Sequence, residues 1–208
     1  MSETLIIDTG AAIGMPAQQV RVEPLPLYDE NHPMLKVQIP EYKFDLPNPL
    51  MEMLVKRLKM TMKLYGGIGL SANQCGVFER VFVIGTDHFQ IACINPRIIG
   101  QAPSTIKAEE GCLSFPGLHV KLDRPDWVEV EFTNEMGELK QMRLEGITAR
   151  CFQHELDHMN GITYHSHVGT VSIQLAQKRR SKYLKLLSKS LKETNNGNNR
   201  SRNYGNIR

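Results

Sequence analysis

In the run Cys151-Phe-Gln-His-Glu-Leu-Asp-His-Met-Asn-Gly161, His154 and His158 stand four residues apart with Glu155 between them. On an α-helix, positions i and i+4 share a face, so both imidazoles project the same way about one turn apart. Glu155 lies one residue round from the first imidazole, close enough to reach a metal-held water without binding the metal. Such a His-Glu-x-x-His arrangement supplies the parts of metal-assisted hydrolysis: two neutral imidazoles, an open position for water, and a carboxylate that takes and returns its proton. Ile147, Cys151 and His154 fall in one helical line, which turns the pair inward, where an unpaired imidazole is costly.

Two imidazoles leave a third ligand to find. His165 and His167, in YHSHVG, lie just past the helix, with no glutamate-bearing helix to follow. Upstream, Glu109-Glu-Gly-Cys-Leu-Ser114 offers Cys112. A thiolate binds Zn²⁺ or Fe²⁺ strongly and adds a negative charge that neutral histidines lack. Taken alone, Cys112 reads first as a small buried apolar residue. A third stretch, Gly66-Gly-Ile-Gly-Leu-Ser-Ala-Asn-Gln-Cys75, lacks the Lys-Ser/Thr ending of a phosphate loop. Gly67 and Gly69 instead suggest backbone that something approaches closely, such as a peptide. Gln74 is either an amide donor aimed into a cavity or a loop cap. These residues leave three readings: a hydrolase of another linear amide, a metallopeptidase, and a closed structural zinc site with Cys151 as fourth ligand. Asp157 and Arg124 form a candidate ion pair beneath the helix.

The elements that must position these groups are legible in outline. Asn48-Pro49 caps a helix over 50–65, with Leu50, Met53, Leu54, Leu58, Met62 and Tyr65 near one face and Gly66-Gly67 ending it. Strand-like runs follow at 81–85, 91–96, 118–122, 127–132 and 137–144, the last two joined as a hairpin through TNEMG. The histidine helix spans about 146–160 and stops at Gly161, a natural left-handed cap. A basic amphipathic helix follows over about 171–191. Its apolar residues are Ile173, Ala176, Tyr183, Leu184, Leu187 and Leu191, set among Lys178, Arg179, Arg180, Lys182, Lys185 and Lys189. The fold class is α+β: antiparallel β-strands packed around a central metal-binding helix, with an additional C-terminal basic helix. Residues 1–20 read as an arm, 21–168 as the catalytic domain, 169–192 as the basic helix and 193–208 as a polar, disordered tail.

Composition narrows the class. No apolar run is long enough to cross a bilayer, and LIIDTGAAIGM has no basic lead-in for export, so the expectation is a cytoplasmic protein without membrane contact. Cys75, Cys93, Cys112 and Cys151 show no disulfide-framework spacing. Ten of the 25 Lys and Arg lie at or after Lys178, against one of the 22 acids. The remainder carries 15 basic and 21 acidic groups, a net of −6. An acidic body with a basic end points to the end as the part that meets polyanions.

Taken together and in order, GIGLSANQ, EGCLS and QHELDH resemble peptide deformylase, over about Tyr28 to His167. Ser71 stands where that family usually has alanine, a small-for-small change, and Gly117 and His119 stand where many bacterial members have polar or basic residues. The resemblance implies a hydrolase that removes the N-formyl group from N-formylmethionyl peptides and releases formate. It implies that Cys112, His154 and His158 hold one divalent ion, Fe²⁺ with Zn²⁺ or Ni²⁺ as substitutes. Glu155 becomes the proton acceptor, while the Gln74 amide and the Leu113 backbone N–H stabilise the oxyanion. The substrate backbone is expected along Gly67, Ile68, Gly69 and Leu70, and beside Glu110 and Gly111. The methionine side chain is expected among Ile68, Cys151 and the helix around His154. The family also suggests docking of the basic helix on ribosomal RNA.

Overall fold

The computed structural model describes residues 4–5, 20–86 and 89–203, with side chains described over 22–86 and 89–189. A short antiparallel pair joins β1 (Thr4–Leu5) to β2 (Val20–Arg21). The rest of the expected N-terminal arm lies outside the described residues. Extended chain and a single 3₁₀ turn (Pro33–Lys36) then lead to α1 (Pro49–Leu64), where the Asn48 side chain accepts the Leu50 N–H and Pro49 occupies the first turn. The buried face of α1 is Met51, Val55, Leu58 and Met62. It is rotated from the expected stripe, since Leu50 is 80 % and Tyr65 50 % exposed. Leu58 and Met62 belong to both stripes, so periodicity alone did not separate the two faces.

The glycine stretch forms β3 (Gly69–Ser71) and a 3₁₀ turn, Ala72–Cys75. Strands β4 (Val81–Thr86) and β5 (Phe89–Gln101) follow. The hairpin β6 (Thr105–Glu110) and β7 (Val120–Pro125) comes next, then β8 (Trp127–Thr133) and β9 (Leu139–Glu145). β6 was not expected, because the run TIKAEE is short and half charged. β7 starts at Val120 rather than Leu118. The main sheet is antiparallel in the order β3-β4-β5-β8-β9, and β6-β7 stands apart as a two-stranded ribbon.

Helix α2 (Gly146–Met159) crosses the main sheet and buries Ala149, Cys151, Phe152 and Met159 against it. Phe152 meets Phe82 of β4 edge-on, ring centres 5.0 Å apart. Gly161 ends the helix region at φ +71, where a Cβ would strike the Lys36 backbone at 2.9 Å. Only glycine suits that combination of positive φ and close contact.

The last helix, α3 (Thr170–Asn203), runs past its expected end at 191, through a polar stretch that contains no proline. The tail expected from 193 is therefore helical as far as Asn203, and 204–208 lie outside the described residues. Burial falls along its described length: Ala176 is buried and Ile173 and Arg180 are half-buried, whereas every residue from 181 to 189 is exposed. Leu184 and Leu187 therefore do not form the packing face that their spacing suggested, and Tyr183, though exposed, lies against Gly117.

Candidate metal centre

Three separate elements deliver the chemistry to one place. α2 carries His154, Glu155 and His158 on its inward face. The loop leaving β6 carries Cys112 and Leu113, and the turn after β3 carries Gln74. Among the described residues, Cys112, His154 and His158 are the one group of three whose ligand atoms all lie within 4.8 Å of one another. The Cys112 Sγ is 3.3 Å from His158 Nε2.

This donor set fits a divalent cation. One soft thiolate and two imidazoles are ligands of first-row ions, and three protein donors leave a coordination position open. His154 donates its Nδ1–H to Glu110 Oε2 at 3.1 Å, which leaves Nε2 for the cation. Both His158 Nδ1 and Glu155 Oε2 are buried without a partner. A buried carboxylate oxygen with no donor beside a ligand cluster is costly unless a water or substrate occupies the space.

The electrostatics separate the two imidazoles. Burial opposes charge on His154, but hydrogen bonds to Cys112 and Glu110 outweigh it and raise the pKa to about 10. His158 is driven well below its ordinary value by burial and then by the charge of His154. Burial raises Glu155 to about 7, opposed by His154 and by the Ser71 hydroxyl. A carboxyl poised near neutrality suits a group that takes and returns a proton.

Glu110 binds two guanidiniums and one imidazole. Arg124 donates from Nε (2.7 Å) and from its second terminal nitrogen (3.0 Å), Arg150 donates at 2.7 Å, and His154 takes the remaining contact. Arg124 also donates to Asp157 Oδ2 at 2.9 Å, as expected for that pair. Glu110 was expected to touch substrate. Its carboxylate is fully engaged within the protein, where it supports His154, while the residue also lines the cavity that opens on the centre. Sequence reading missed this role, because Arg124 and Arg150 carry no spacing signal relative to Glu110.

A cavity of about 540 Å³ opens on the centre. Gly67, Ile68, Gly69, Gln74, Glu110, Gly111, Cys112, Leu113, Cys151, His154 and Glu155 line it, as the sequence reading grouped them. Leu70 does not: its side chain is fully buried in the core with Val55 and Met62. In a strand, neighbours face opposite ways, so Leu70 contributes backbone alone. Gly69 is approached closely, but by the protein itself. A Cβ there would meet the Glu155 carboxylate and come within 2.6 Å of Cys151 Sγ.

Gln74 is held as a directed donor. Its Oε1 accepts from both the Ser71 N–H and the Ser71 hydroxyl at 2.9 Å, and its Nε2 faces Cys112 Sγ (3.3 Å) and Ser114 Oγ (3.2 Å). Ser71 is thus an active hydrogen-bond partner rather than an inert small residue. Asn73 joins the same turn to α2, donating to the His158 carbonyl at 2.7 Å. Cys151 Sγ donates to the Ile68 carbonyl at 3.2 Å and stands outside the ligand group, which leaves a closed four-ligand site without its fourth donor. His167 donates to Asp157 at 2.8 Å and His165 packs on Phe115, so neither joins the centre.

A family model described as polypeptide deformylase matches residues 24–173. A peptide deformylase of Thermotoga neapolitana is 40 % identical over 140 residues, 67 % of this chain and 84 % of that protein. The crystal structure of peptide deformylase from Thermotoga maritima superposes with a TM-score of 0.67 at 34 % identity, covering 70 % of this chain and 98 % of that one. A Met-Ala-Ser-bound structure of the class I type b enzyme from Acinetobacter baumannii gives 0.66 at 26 % identity, covering 70 % and 98 %.

Proposed function

This chain belongs to the polypeptide deformylase family, and from that premise we propose which of its residues carry the reaction and which ion they hold. The chain is a hydrolase that removes the N-formyl group from the N-terminal formylmethionine of newly made polypeptides. We assign the catalytic unit to 21–168 and place the metal on Cys112, His154 and His158, with Fe²⁺ as the working ion and Zn²⁺ or Ni²⁺ as substitutes. The donor chemistry and the convergence of the three ligand atoms support that assignment.

When bound, a divalent ion there polarises the formyl carbonyl and lowers the pKa of a water to about 7. Glu155, buried beside the ligands, accepts the proton of the attacking water and delivers it to the departing amine. Gln74 Nε2, held between Ser114 and Cys112, is placed to donate to the oxygen that gains charge, helped by the Leu113 backbone N–H. Glu110 holds His154 in one tautomer. The peptide backbone runs beside Gly67 to Gly69, because β3 is the edge strand of its sheet and offers one side for strand addition. The methionine side chain takes the part of the cavity bounded by Cys151 and Ile68.

Among the described residues, no helix is long and apolar enough to cross a membrane. We place the enzyme in the cytoplasm, where formylated chains emerge, and propose that the exposed basic length of α3 meets ribosomal RNA. Binding that weakens steeply with added salt supports that contact, and salt-insensitive binding removes it.

The single observation that carries the catalytic assignment is Glu155 Oε2, buried and unpaired beside three converging ligands. The experiment compares formate release from formyl-Met-Ala-Ser and acetate release from acetyl-Met-Ala-Ser, on protein loaded anaerobically with Fe²⁺ or Ni²⁺. Wild type should release formate alone. Glu155→Ala should retain stoichiometric metal and lose about 10²–10⁴-fold in kcat. Undiminished formate release by that variant would remove Glu155 from the reaction.

A further inference from the structure

Arg180 connects the C-terminal helix to the loop that follows Cys112 and to the segment around Glu30. Its Nε donates to the Pro116 carbonyl at 2.9 Å, and a terminal nitrogen pairs with Glu30 Oε2 at 2.7 Å. Pro116 and Gly117 line the cavity, four and five residues after Cys112. Glu30 lies two residues beyond Tyr28, whose N–H donates to the Gln74 carbonyl at 2.9 Å. Tyr183, one turn further along α3, covers Gly117, where a Cβ would stand 3.3 Å from the ring. The planar guanidinium thus combines a directed hydrogen bond to Pro116 with an ionic contact to Glu30, whereas an ammonium is a point charge.

We propose that Arg180 is a positioning residue for the substrate-binding rim, so that α3 sets peptide affinity as well as projecting from the body. The inference rests on the deformylase reading of the cavity. The reacting groups are held without Arg180: Gln74 contacts Cys112 and Ser114, Phe115 N–H donates to the Cys112 carbonyl, and the Tyr164 hydroxyl donates to the Leu118 carbonyl. Releasing the Pro116 carbonyl therefore loosens the wall that the peptide lies against and leaves the chemistry in place. A loss confined to ground-state binding raises KM at unchanged kcat.

The test uses the full-length, Ni²⁺-loaded protein with formyl-Met-Ala-Ser for turnover and the product Met-Ala-Ser for direct binding by calorimetry. Arg180→Ala should raise KM and the product Kd by about three- to tenfold, with kcat within about twofold of wild type. Arg180→Lys should fall between the two. Lys182→Ala and Lys185→Ala, which remove the same charge from exposed positions of α3, should leave both constants unchanged. Unchanged KM and Kd in Arg180→Ala overturn the proposal, as does a fall in kcat that matches the fall in kcat/KM. An equal rise in KM for Lys182→Ala also overturns it, since the cause is then the helix's charge. Absence of formate release by wild type would instead count against the enzyme reading itself.

Discussion

His154 and Glu110 are bound Nδ1 to Oε2 at 3.1 Å, and the same carboxylate holds Arg124 and Arg150. One buried anion thus orients His154 of the candidate metal centre and ties α2 to the β6–β7 ribbon. Glu110→Gln leaves two buried guanidiniums short of charge. It should weaken metal binding about 10- to 100-fold and destabilise the fold by about 3 kcal/mol. Chelator competition and urea unfolding check the two effects separately.

The same carboxylate sets an acid limb of stability. Burial alone would raise its pKa, but the hydrogen bond from His154 and the hydrogen bond and charge of Arg124 bring it down to about 2. A depressed carboxyl pKa stabilises fully above the unfolded value, about 4.3, and loses that contribution as pH falls through the folded value. Metal-free wild type should lose unfolding free energy from about pH 4.5 downwards. Glu110→Gln should show a flatter profile over that window, and parallel profiles would contradict the assignment.

Gly69 admits no side chain. Gly69→Ala drives a methyl into the Glu155 carboxylate and to 2.6 Å from Cys151 Sγ, so Glu155 or the strand must move. We expect a fall in kcat of about 100-fold or more, since a shift of about 1 Å at a reacting group costs that much. Gly169→Ala, where nothing lies within 4 Å, is the control and should be neutral.

Gln74→Leu should lower kcat by about 10²–10³ with little change in KM, the signature of a donor used only in the transition state. Ser71→Ala removes one of the two donors to Gln74 Oε1 and should give a smaller loss in the same sense. In the Gln74→Leu background its effect on kcat should shrink to the part that acts through Glu155. Steady-state kinetics of the double-mutant cycle reads this directly.

Thiol chemistry should single out Cys112. Burial pushes Cys75 up to about 12 and raises Cys93 and Cys151 well above the ordinary thiol value, while Cys112 is the one cysteine not fully buried. Only the thiolate reacts. In metal-free protein near pH 7.5, one thiol should be modified quickly, with mass spectrometry placing it at Cys112. Bound Ni²⁺ should protect it.

The sequence by itself determined what is local. Four-residue spacing put His154 and His158 on one face, Asn48-Pro49 capped α1, and Gly161 closed α2, because each follows from the geometry of a single helix. Three short motifs in order also carried the family. What lies between elements was open to the sequence only as candidates. Asp157 could be matched to Arg124, but nothing in their spacing marked Glu110 as the partner of Arg124, Arg150 and His154. The side of α1 that meets the core and the inward turn of Leu70 were likewise decided by packing. Each depends on which surfaces meet once the elements pack, and packing joins residues such as Glu110 and Arg150, 40 positions apart, that carry no mutual spacing rule. The course of α3 shows the same division. Its amphipathic pattern predicted a packed face, yet among the described residues no side chain past Arg180 is more than partly covered, and Arg180 found its contacts on two loops far away in the chain.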